Sequence, residues 1–238
     1  MKKLGIIGAM TVEIEALKSQ MCNMTTTEKA GMTFFEGTLE GLSVVLVVCG
    51  VGKVTASMCV QILCDCFDVT HIVNTGVAGS LCAELDIGDF VISTSSMYHD
   101  FDCHSLNPDY PVGQVPGLDV HAFPADETLV ELAYEAAQYI HPGHARKGTV
   151  ASGDQFVCQK DHKEKIVANT RGICTEMEGA AIAHVAWRNG IPFVVIRAIS
   201  DKADDSAEMD YPTFEAIAAK RCAEVTQMMA KCLSLSGK

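Results

Sequence analysis

Residues 4–21, LGIIGAMTVEIEALKSQM, decide the fold class of this chain of 238 residues. The first part, LGIIGAM, is a short apolar run of the kind that forms a buried strand. In the second part, TVEIEALKSQM, the apolar residues Val12, Ala16 and Leu17 recur at helical spacing and predict a helix. A buried strand that leads directly into a helix is the repeating unit of α/β folds.

The same alternation continues toward the C-terminus. Apolar runs predict further strands at 33–39, 42–49, 71–76 and 89–93, at the start of 148–156 and of 173–190, and over 191–201. Helical spacing predicts helices over 52–67, 126–140, the second half of 173–190 and 213–229. The first two of these strands form an antiparallel hairpin around Glu40-Gly41, while 77–81 (VAGSL) and 98–125 are expected to be loops. This order predicts an α/β fold with a mixed, mostly parallel sheet covered by helices on both faces.

Length, composition and charge narrow the class of protein. No change in composition marks a linker, so residues 1–238 are expected to form a single domain. The net charge is -12 and the 18 basic residues are scattered, which argues against a nucleic-acid partner and favours a small or neutral ligand. No apolar run is long enough to span a membrane, and the start MKKLGIIGAM lacks a signal-peptide cleavage region. We therefore expect a cytoplasmic protein without a membrane partner.

The cysteines and one histidine-rich segment do not predict a metal site. Eleven cysteines contain no CxxC motif, and most have apolar neighbours, which is typical of small core residues in a reducing compartment. The segment 98–104, YHDFDCH, offers His99, Asp100, Asp102, Cys103 and His104, but their spacing matches no standard zinc pattern. We expect a polar loop there and no bound metal.

Polar residues follow five of the predicted strands, at the point where each strand ends. In open α/β sheets, ligands bind outside the carboxyl ends of the strands, so these groups are expected to lie at one rim. They are Glu13, residues 75–79, residues 154–157, residues 176–178, and Ser200 with Asp201.

The segment 175–181, TEMEGAA, places Glu176 and Glu178 before three very small residues. Either acid alone could simply favour a helix N-terminus, and Phe156 alone could be a core aromatic. Spacing excludes a dinucleotide fingerprint at Gly50-Val51-Gly52, a P-loop at Gly52-Lys53 and a G-x-S-x-G serine nucleophile. Three acids and an aromatic platform suit cleavage of a sugar from its leaving group, which needs an acid, a base and negative charge near an oxocarbenium-like sugar.

Seven motifs in register carry a family resemblance over nearly the whole chain. The motifs are GIIGAMTVEIEAL, GVGKV, NTGVAGSL, YHD, ASGDQFV, EMEGAAIAHVA and VIRAISDKAD. Through them the chain resembles the 5'-methylthioadenosine/S-adenosylhomocysteine nucleosidases of the nucleoside phosphorylase superfamily. The resemblance implies a nucleoside phosphorylase-like α/β fold with a partly barrel-like sheet, and a homodimer. It also implies irreversible hydrolysis of the N-glycosidic bond in methionine salvage, without cofactor or metal, which releases adenine and a 5-substituted ribose.

The resemblance also implies roles for individual residues. Asp201, held by Ser200, corresponds to the group that protonates N7 of adenine, and Glu13, assisted by Arg197, corresponds to the base that activates water. Phe156 and the backbone of Val157 correspond to the groups that stack on adenine and read its edge. Other positions implied to bind substrate are Met177 and Glu178 at the ribose, Glu176, Val77, Ala78 and Gly79, and, at the 5' substituent, Met10, Val51 and Tyr211.

A loop near 103–116 is implied to reach the site of the partner subunit, with Leu106 and Pro116 near the 5' substituent. One departure from the family pattern is Val77, which stands where many relatives carry a serine that could contact the catalytic water. A second question is the acidity of Asp201, because an unperturbed aspartate has a pKa of about 3.9 and Arg197 nearby would lower it further. Burial or proton delivery through water would have to compensate.

Two other functions remain as alternatives. A purine nucleoside phosphorylase would need a cationic or amide nest for phosphate, but of five arginines only Arg197 is expected at the rim, and Glu13 would repel the anion. An inactive nucleoside-binding protein of the same fold would need neither Asp201 nor Glu13. The 5' group of the substrate stays open among methylthio, homocysteinyl, 5'-deoxy and aminodeoxyfutalosine-like substituents.

Overall fold

Strands and helices alternate along the chain in the computed structural model, which describes residues 2–204 and 206–235. The strands are β1 (Lys3–Gly8), β2 (Cys22–Lys29), β3 (Met32–Leu39), β4 (Leu42–Val48), β5 (His71–Ser80), β6 (Phe90–Tyr98), β7 (Phe123–Pro124), β8 (Ala145–Ser152), β9 (Cys174–Glu176) and β10 (Phe193–Asp201). The helices are α1 (Thr11–Gln20), α2 (Lys53–Phe67), α3 (Glu127–Ile140), α4 (Lys160–Thr170), α5 (Gly179–Arg188) and α6 (Ala207–Leu235).

These strands belong to one mixed sheet, part of which closes on itself. Strands β4, β1, β5 and β10 are parallel neighbours in that order. Strand β6 runs antiparallel to β10, β8 and β9 follow it in parallel, and β9 returns to the end of β5 in the antiparallel direction. The ring β5-β10-β6-β8-β9 is therefore barrel-like, and β1, β4, β3 and β2 extend from it as an open sheet. The expected mixed, partly barrel-like sheet is confirmed.

Helices cover both faces of the sheet, as predicted. Helices α2 and α5 pack on one face, where Leu63 and Ile182 are buried in a first apolar core. Helices α1, α3 and α6 pack on the other face, where Leu17, Ala133 and Val225 are buried in a second core. Fully burying a side chain such as Leu63 stabilises the fold by about 1.5–3 kcal/mol relative to leaving it exposed. None of the helices in the described ranges is both long and apolar enough to cross a membrane.

The structure corrects the sequence prediction at several elements. Strand β6 extends to Tyr98, and the short strand β7 pairs with it inside the segment 98–125 that is predicted to be a loop. Strand β5 runs on to Ser80, through the segment predicted as a loop, because its small residues pair with β10 and β9. Strand β2 and helix α4 were not predicted: every residue of β2 is exposed, and α4 buries only Ile166 and Thr170, so neither carries a clear apolar pattern. Helix α6 begins before Thr213 and ends after Met229.

The cysteines are all free thiols. The prediction of small core residues is confirmed for the four that are buried, which are Cys49, Cys59, Cys174 and Cys222. It is wrong for Cys22 and Cys66, which are exposed on β2 and at the end of α2.

Candidate active site

One cavity gathers the predicted rim residues into a single site. The residues expected to bind or react and found in its wall are Met10, Glu13, Val51, Val77, Ala78, Gly79, Phe156, Val157, Glu176, Met177, Glu178, Ser200, Asp201 and Tyr211. Gln155, one of the predicted rim residues 154–157, also lines the cavity, and so do Ala9 and Thr175, which sequence reasoning had not singled out. Each is a direct neighbour in sequence of a residue that had been singled out.

Strand direction alone does not explain this convergence. Strand β9 is antiparallel to β5, so its carboxyl end does not lie at the same edge of the sheet as that of β5. Instead, Gly79 has Thr175 of β9 on one side and Asp201 of β10 on the other. The closure of the sheet therefore brings the two acidic segments to the same part of β5.

Glu13 is held at the N-terminus of α1 by backbone groups from two elements. Its Oε2 accepts from the backbone N–H groups of Ala9 at 2.7 Å and Met10 at 3.0 Å, and its Oε1 accepts from Val77 N at 3.1 Å. Gly76 makes room, because a Cβ there would lie 2.3 Å from Oε1. Burial raises the pKa of Glu13, although the charge of Arg197 and these backbone donors act in the opposite direction. The carboxyl group is thus fixed in place and has a raised affinity for a proton.

Glu176 anchors the start of α5 rather than offering a free carboxylate. It accepts from the Arg197 guanidinium, the Ser152 hydroxyl and the backbone N–H groups of Glu178 and Gly179. A Cβ on Gly179 would lie 3.0 Å from Glu176 Oε1. The small residues of TEMEGAA therefore bring the helix start close to Glu176.

Arg197 lies behind the cavity wall instead of on it. Its guanidinium donates to Glu176, to Asn74 and to the Ile196 carbonyl, and the whole residue is only 2% exposed. Although burial acts in the other direction, the nearby carboxylates raise its pKa, so it stays charged. The expected place beside the catalytic water is thus corrected: the direct partner of Arg197 is Glu176.

Glu178 faces the cavity with fewer partners. Its Oε1 accepts from Gly52 N at 2.7 Å, across 126 positions of sequence. Burial, together with the charge of Glu176, raises the pKa of Glu178 to about 8, against the opposing charge of Arg197.

Asp201, at the end of β10, is held by its neighbours in the chain. Its Oδ2 accepts from Ser200 Oγ at 2.9 Å, and its Oδ1 accepts from Ala203 N at 2.8 Å. Burial raises the pKa of Asp201, while these two hydrogen bonds lower it. Arg197 binds Glu176 and is not among the groups that shift the pKa of Asp201 most, so the expected lowering by Arg197 is not a leading effect.

Aromatic and apolar side chains form the rest of the wall. The rings of Phe156 and Tyr211 meet edge to face with centroids 5.5 Å apart, and Phe156 is about half exposed, at 48%. The Tyr211 hydroxyl lies 3.5 Å from Met10 Sδ and donates to Glu215 at 2.8 Å. Leu106, which is 75% exposed, and Pro116 do not line the cavity of their own chain.

Possible metal ligands lie elsewhere. Among the described residues, one group of three His, Cys, Asp or Glu side chains has ligand atoms within 4.8 Å of one another: Asp89, His141 and His144. None of the three lines the cavity. In the segment 98–104, the Asp100 carboxylate is bound by Lys53 and by the backbone N–H of Asp154.

Comparisons with known proteins agree with this geometry. Residues 3–231 match the family model described as "Phosphorylase superfamily". A protein of Oceanobacillus iheyensis named 5'-methylthioadenosine/S-adenosylhomocysteine nucleosidase is 41% identical over 229 residues, covering 96% of this chain and 98% of that protein. The nucleosidase of that name from Neisseria meningitidis, solved in complex with methylthio-immucillin-A, has a TM-score of 0.92 at 35% identity and covers 98% and 100% of the two chains. Futalosine hydrolase of Helicobacter pylori has a TM-score of 0.90 at 32% identity, covering 96% and 97%.

Proposed function

The chain belongs to the 5'-methylthioadenosine/S-adenosylhomocysteine nucleosidases of the phosphorylase superfamily, and from this premise we propose how its cavity hydrolyses the N-glycosidic bond of these nucleosides. The products are adenine and the 5-substituted ribose. The observation that carries the proposal is the meeting of three carboxyl groups, Glu13, Glu178 and Asp201, in one cavity beside an exposed aromatic ring. We further propose that residues 1–238 act as a single nucleosidase domain, since the family model spans nearly all of them.

Asp201 supplies the proton that makes adenine a good leaving group. The adenine ring stacks on Phe156, and its edge lies against the backbone of Val157. N7 of adenine takes the proton of Asp201 as the bond to C1' breaks. A pKa raised by burial supports this role, because more of the carboxyl group is protonated near neutral pH. Ser200 fixes the orientation of the donor through its hydrogen bond to Oδ2.

Glu178 and Glu13 act on the sugar. The carboxylate form of Glu178 binds the ribose hydroxyls together with Met177. The hydroxyl donors and the developing oxocarbenium ion both favour this charged form, which in turn stabilises the cation. Glu13 takes a proton from water as the water oxygen bonds to C1', so the leaving base gains one proton and the sugar one hydroxyl. Val77 contributes a backbone N–H to Glu13 and no hydroxyl. Arg197 lies behind the wall and assists Glu13 through its charge, which opposes the rise in the pKa of that carboxyl group.

The two alternatives fit the cavity less well. A phosphorylase must bind a phosphate dianion, but none of the described residues in the cavity wall is Lys, Arg or His, and Glu13 would repel the anion. A protein that only binds nucleosides needs neither the proton donor nor the base.

Assembly, location and substrate range complete the proposal. The protein acts as a homodimer in which the loop near 103–116 completes the partner's site at the 5' substituent. A cytoplasmic location agrees with eleven free cysteines. The substrate is 5'-methylthioadenosine or S-adenosylhomocysteine. The likeness to futalosine hydrolase extends the candidates to aminodeoxyfutalosine, and 5'-deoxyadenosine is a further candidate.

Product analysis with and without phosphate tests the reaction class. We expect the purified protein to release adenine from 5'-methylthioadenosine at a rate that added phosphate does not change. The sugar product should have the mass of free 5-methylthioribose. A sugar 1-phosphate would establish the phosphorylase instead, and binding without adenine release would establish the inactive binder.

A further inference from the structure

A lysine at the cavity rim joins three segments that are far apart in sequence. Lys53 Nζ lies 2.6 Å from both carboxylate oxygens of Asp100 and 3.6 Å from Asp154 Oδ2. The side chains of Lys53 and Asp100 are only 21% and 14% exposed, so solvent screens this ion pair incompletely. The ammonium group also lies 5.5 Å from the centre of the Tyr98 ring.

Backbone hydrogen bonds tie the same three residues together. Lys53 N donates to Asp154 Oδ1 at 2.8 Å, and Asp154 N donates to Asp100 Oδ2 at 2.8 Å. Asp154 thereby caps α2, which begins after Gly52 and has no acidic residue of its own in the first turn. A lysine at the first position of a helix is disfavoured by the helix dipole, and the two aspartates offset this cost.

Each side of this cluster continues directly into the cavity wall. On one side, Gly52 N donates to Glu178 Oε1 at 2.7 Å. On the other side, Asp154 is followed by three wall residues, Gln155, Phe156 and Val157. Residues 154–156 are exposed and lie between β8 and α4. The bonds to Asp154, together with the hydrogen bond from Gly153 N to the Glu176 carbonyl at 3.1 Å, fix where this loop leaves the sheet.

We propose that Lys53, Asp100 and Asp154 form a clamp that positions the nucleoside-binding surfaces on both sides of the cavity. The clamp places Phe156 for stacking and holds the Gly52 N–H against Glu178. Its residues are positioning residues, because they act on the substrate only through Phe156 and Glu178. The inference rests on the proposed function, since it takes Phe156 to hold the base and Glu178 the ribose.

The test is the steady-state kinetics of Lys53→Met, which removes the charge and keeps an apolar stem of similar length. Stacking of a base on an aromatic side chain strengthens binding several-fold or more. Because the variant should misplace Phe156, we expect KM for 5'-methylthioadenosine to rise about 10-fold. The value of kcat should fall by a smaller factor, because Asp201 and Glu13 are untouched. Asp100→Asn should act in the same direction, and the double variant should be no worse than the more affected single variant, since either change breaks the same clamp.

Lys147→Met is the matched control. Lys147 Nζ also lies 2.6 Å from both oxygens of a carboxylate, Glu131, and 4.5 Å from an aromatic ring, Tyr134. This pair joins β8 to α3, and neither residue lines the cavity. We expect the control to keep the KM of the wild-type protein. Thermal unfolding of every variant separates a local effect from a loss of fold.

Calorimetric titration with adenine extends the test to conditions without turnover, where Lys53→Met should bind about 10-fold more weakly than wild type. The proposal is overturned if Lys53→Met keeps the wild-type KM and adenine affinity, or if Lys147→Met changes them equally. Failure of the proposed function looks different: the wild-type protein itself would then release no adenine from 5'-methylthioadenosine.

Discussion

Glu178 is a buried acid whose raised pKa makes the stability of the fold depend on pH. Its pKa is about 8 instead of the ordinary 4.5, so the folded protein keeps a proton that the unfolded chain has lost. The free energy of unfolding therefore falls as the pH rises from 4.5 to about 8. We expect Glu178→Gln, which stays neutral, to lose less stability over this range than the wild-type protein.

Thermal melting of the ligand-free proteins between about pH 5 and pH 8.5 checks this prediction. The variant should gain in relative stability toward the upper end, because it avoids a buried charge beside Glu176. Glu13 and Asp201 titrate in both proteins, so the difference between the two profiles reports Glu178 together with its coupling to Glu176. Identical pH profiles would show that Glu178 ionises in the fold as it does in water.

At single residues, sequence predicted which acids enter the cavity better than it predicted their partners. Glu13 and Glu178 follow a strand and Asp201 ends one, which indicated the correct residues, although the closure of the sheet at β9 is also needed to bring Glu178 to the cavity. The partners of Glu176 could not be predicted, because they depend on how closely Gly179 and Ser152 approach its carboxylate. The same holds for Arg197, whose orientation follows from the packing of β10 against β5.

Among the elements, those with a strong apolar pattern were predicted and those without one were missed. Strand β2 is exposed along its length, so it carries no alternation of apolar and polar residues. The sequence predicts a strand over 71–76 and a glycine-rich loop over 77–81, whereas β5 continues to Ser80. Gly76 and Gly79 are in fact needed within the strand, where a side chain would collide with Glu13 and Asp201.

Three residues of the cavity wall form the proposed pocket for the 5' substituent, and their chemistry predicts a preference between substrates. Met10 precedes α1, Val51 precedes α2, and Tyr211 in α6 directs its hydroxyl to Glu215 and Met10. A buried methylthio group gains about 0.8 kcal/mol per carbon-sized group, whereas a poorly paired 5' hydroxyl loses about 1–3 kcal/mol. We expect kcat/KM for 5'-methylthioadenosine to exceed that for adenosine by about tenfold to several hundredfold.

Parallel assays of 5'-methylthioadenosine, adenosine and inosine measure this preference. Equal values for the first two nucleosides would contradict an apolar 5' pocket. A preference for inosine would contradict recognition of adenine by the Val157 backbone.

At the scale of the whole molecule, exposed apolar side chains predict assembly into a homodimer. Leu106 is 75% exposed on a loop that does not line its own cavity, and Val54 and Met58 on α2 are also exposed, at 78% and 38%. We expect these apolar side chains to be covered in a homodimer, with Leu106 near the partner's substrate. Sedimentation at assay concentrations should show a dimer, and Leu106→Asp should lower kcat/KM for 5'-methylthioadenosine. A fully active monomer would contradict this prediction.

In the proposed mechanism, Asp201 protonates the leaving adenine and Glu13 activates the attacking water. Substrates with different leaving groups distinguish these two roles. An acid that protonates the leaving group is needed for adenine, but not for a leaving group that departs readily as an anion. Comparing adenine release from 5'-methylthioadenosine with p-nitrophenolate release from p-nitrophenyl 5-methylthioriboside therefore isolates the proton donor.

The most direct measurement is kcat/KM of folded Asp201→Asn for these two substrates. We predict that adenine release falls by about 10²–10⁴-fold while p-nitrophenolate release stays within a few-fold of wild type. Glu13→Gln, which lacks the base for water, should lose activity on both substrates. An equal loss on both substrates in Asp201→Asn, or no loss on either, would contradict the assignment of Asp201 as the acid.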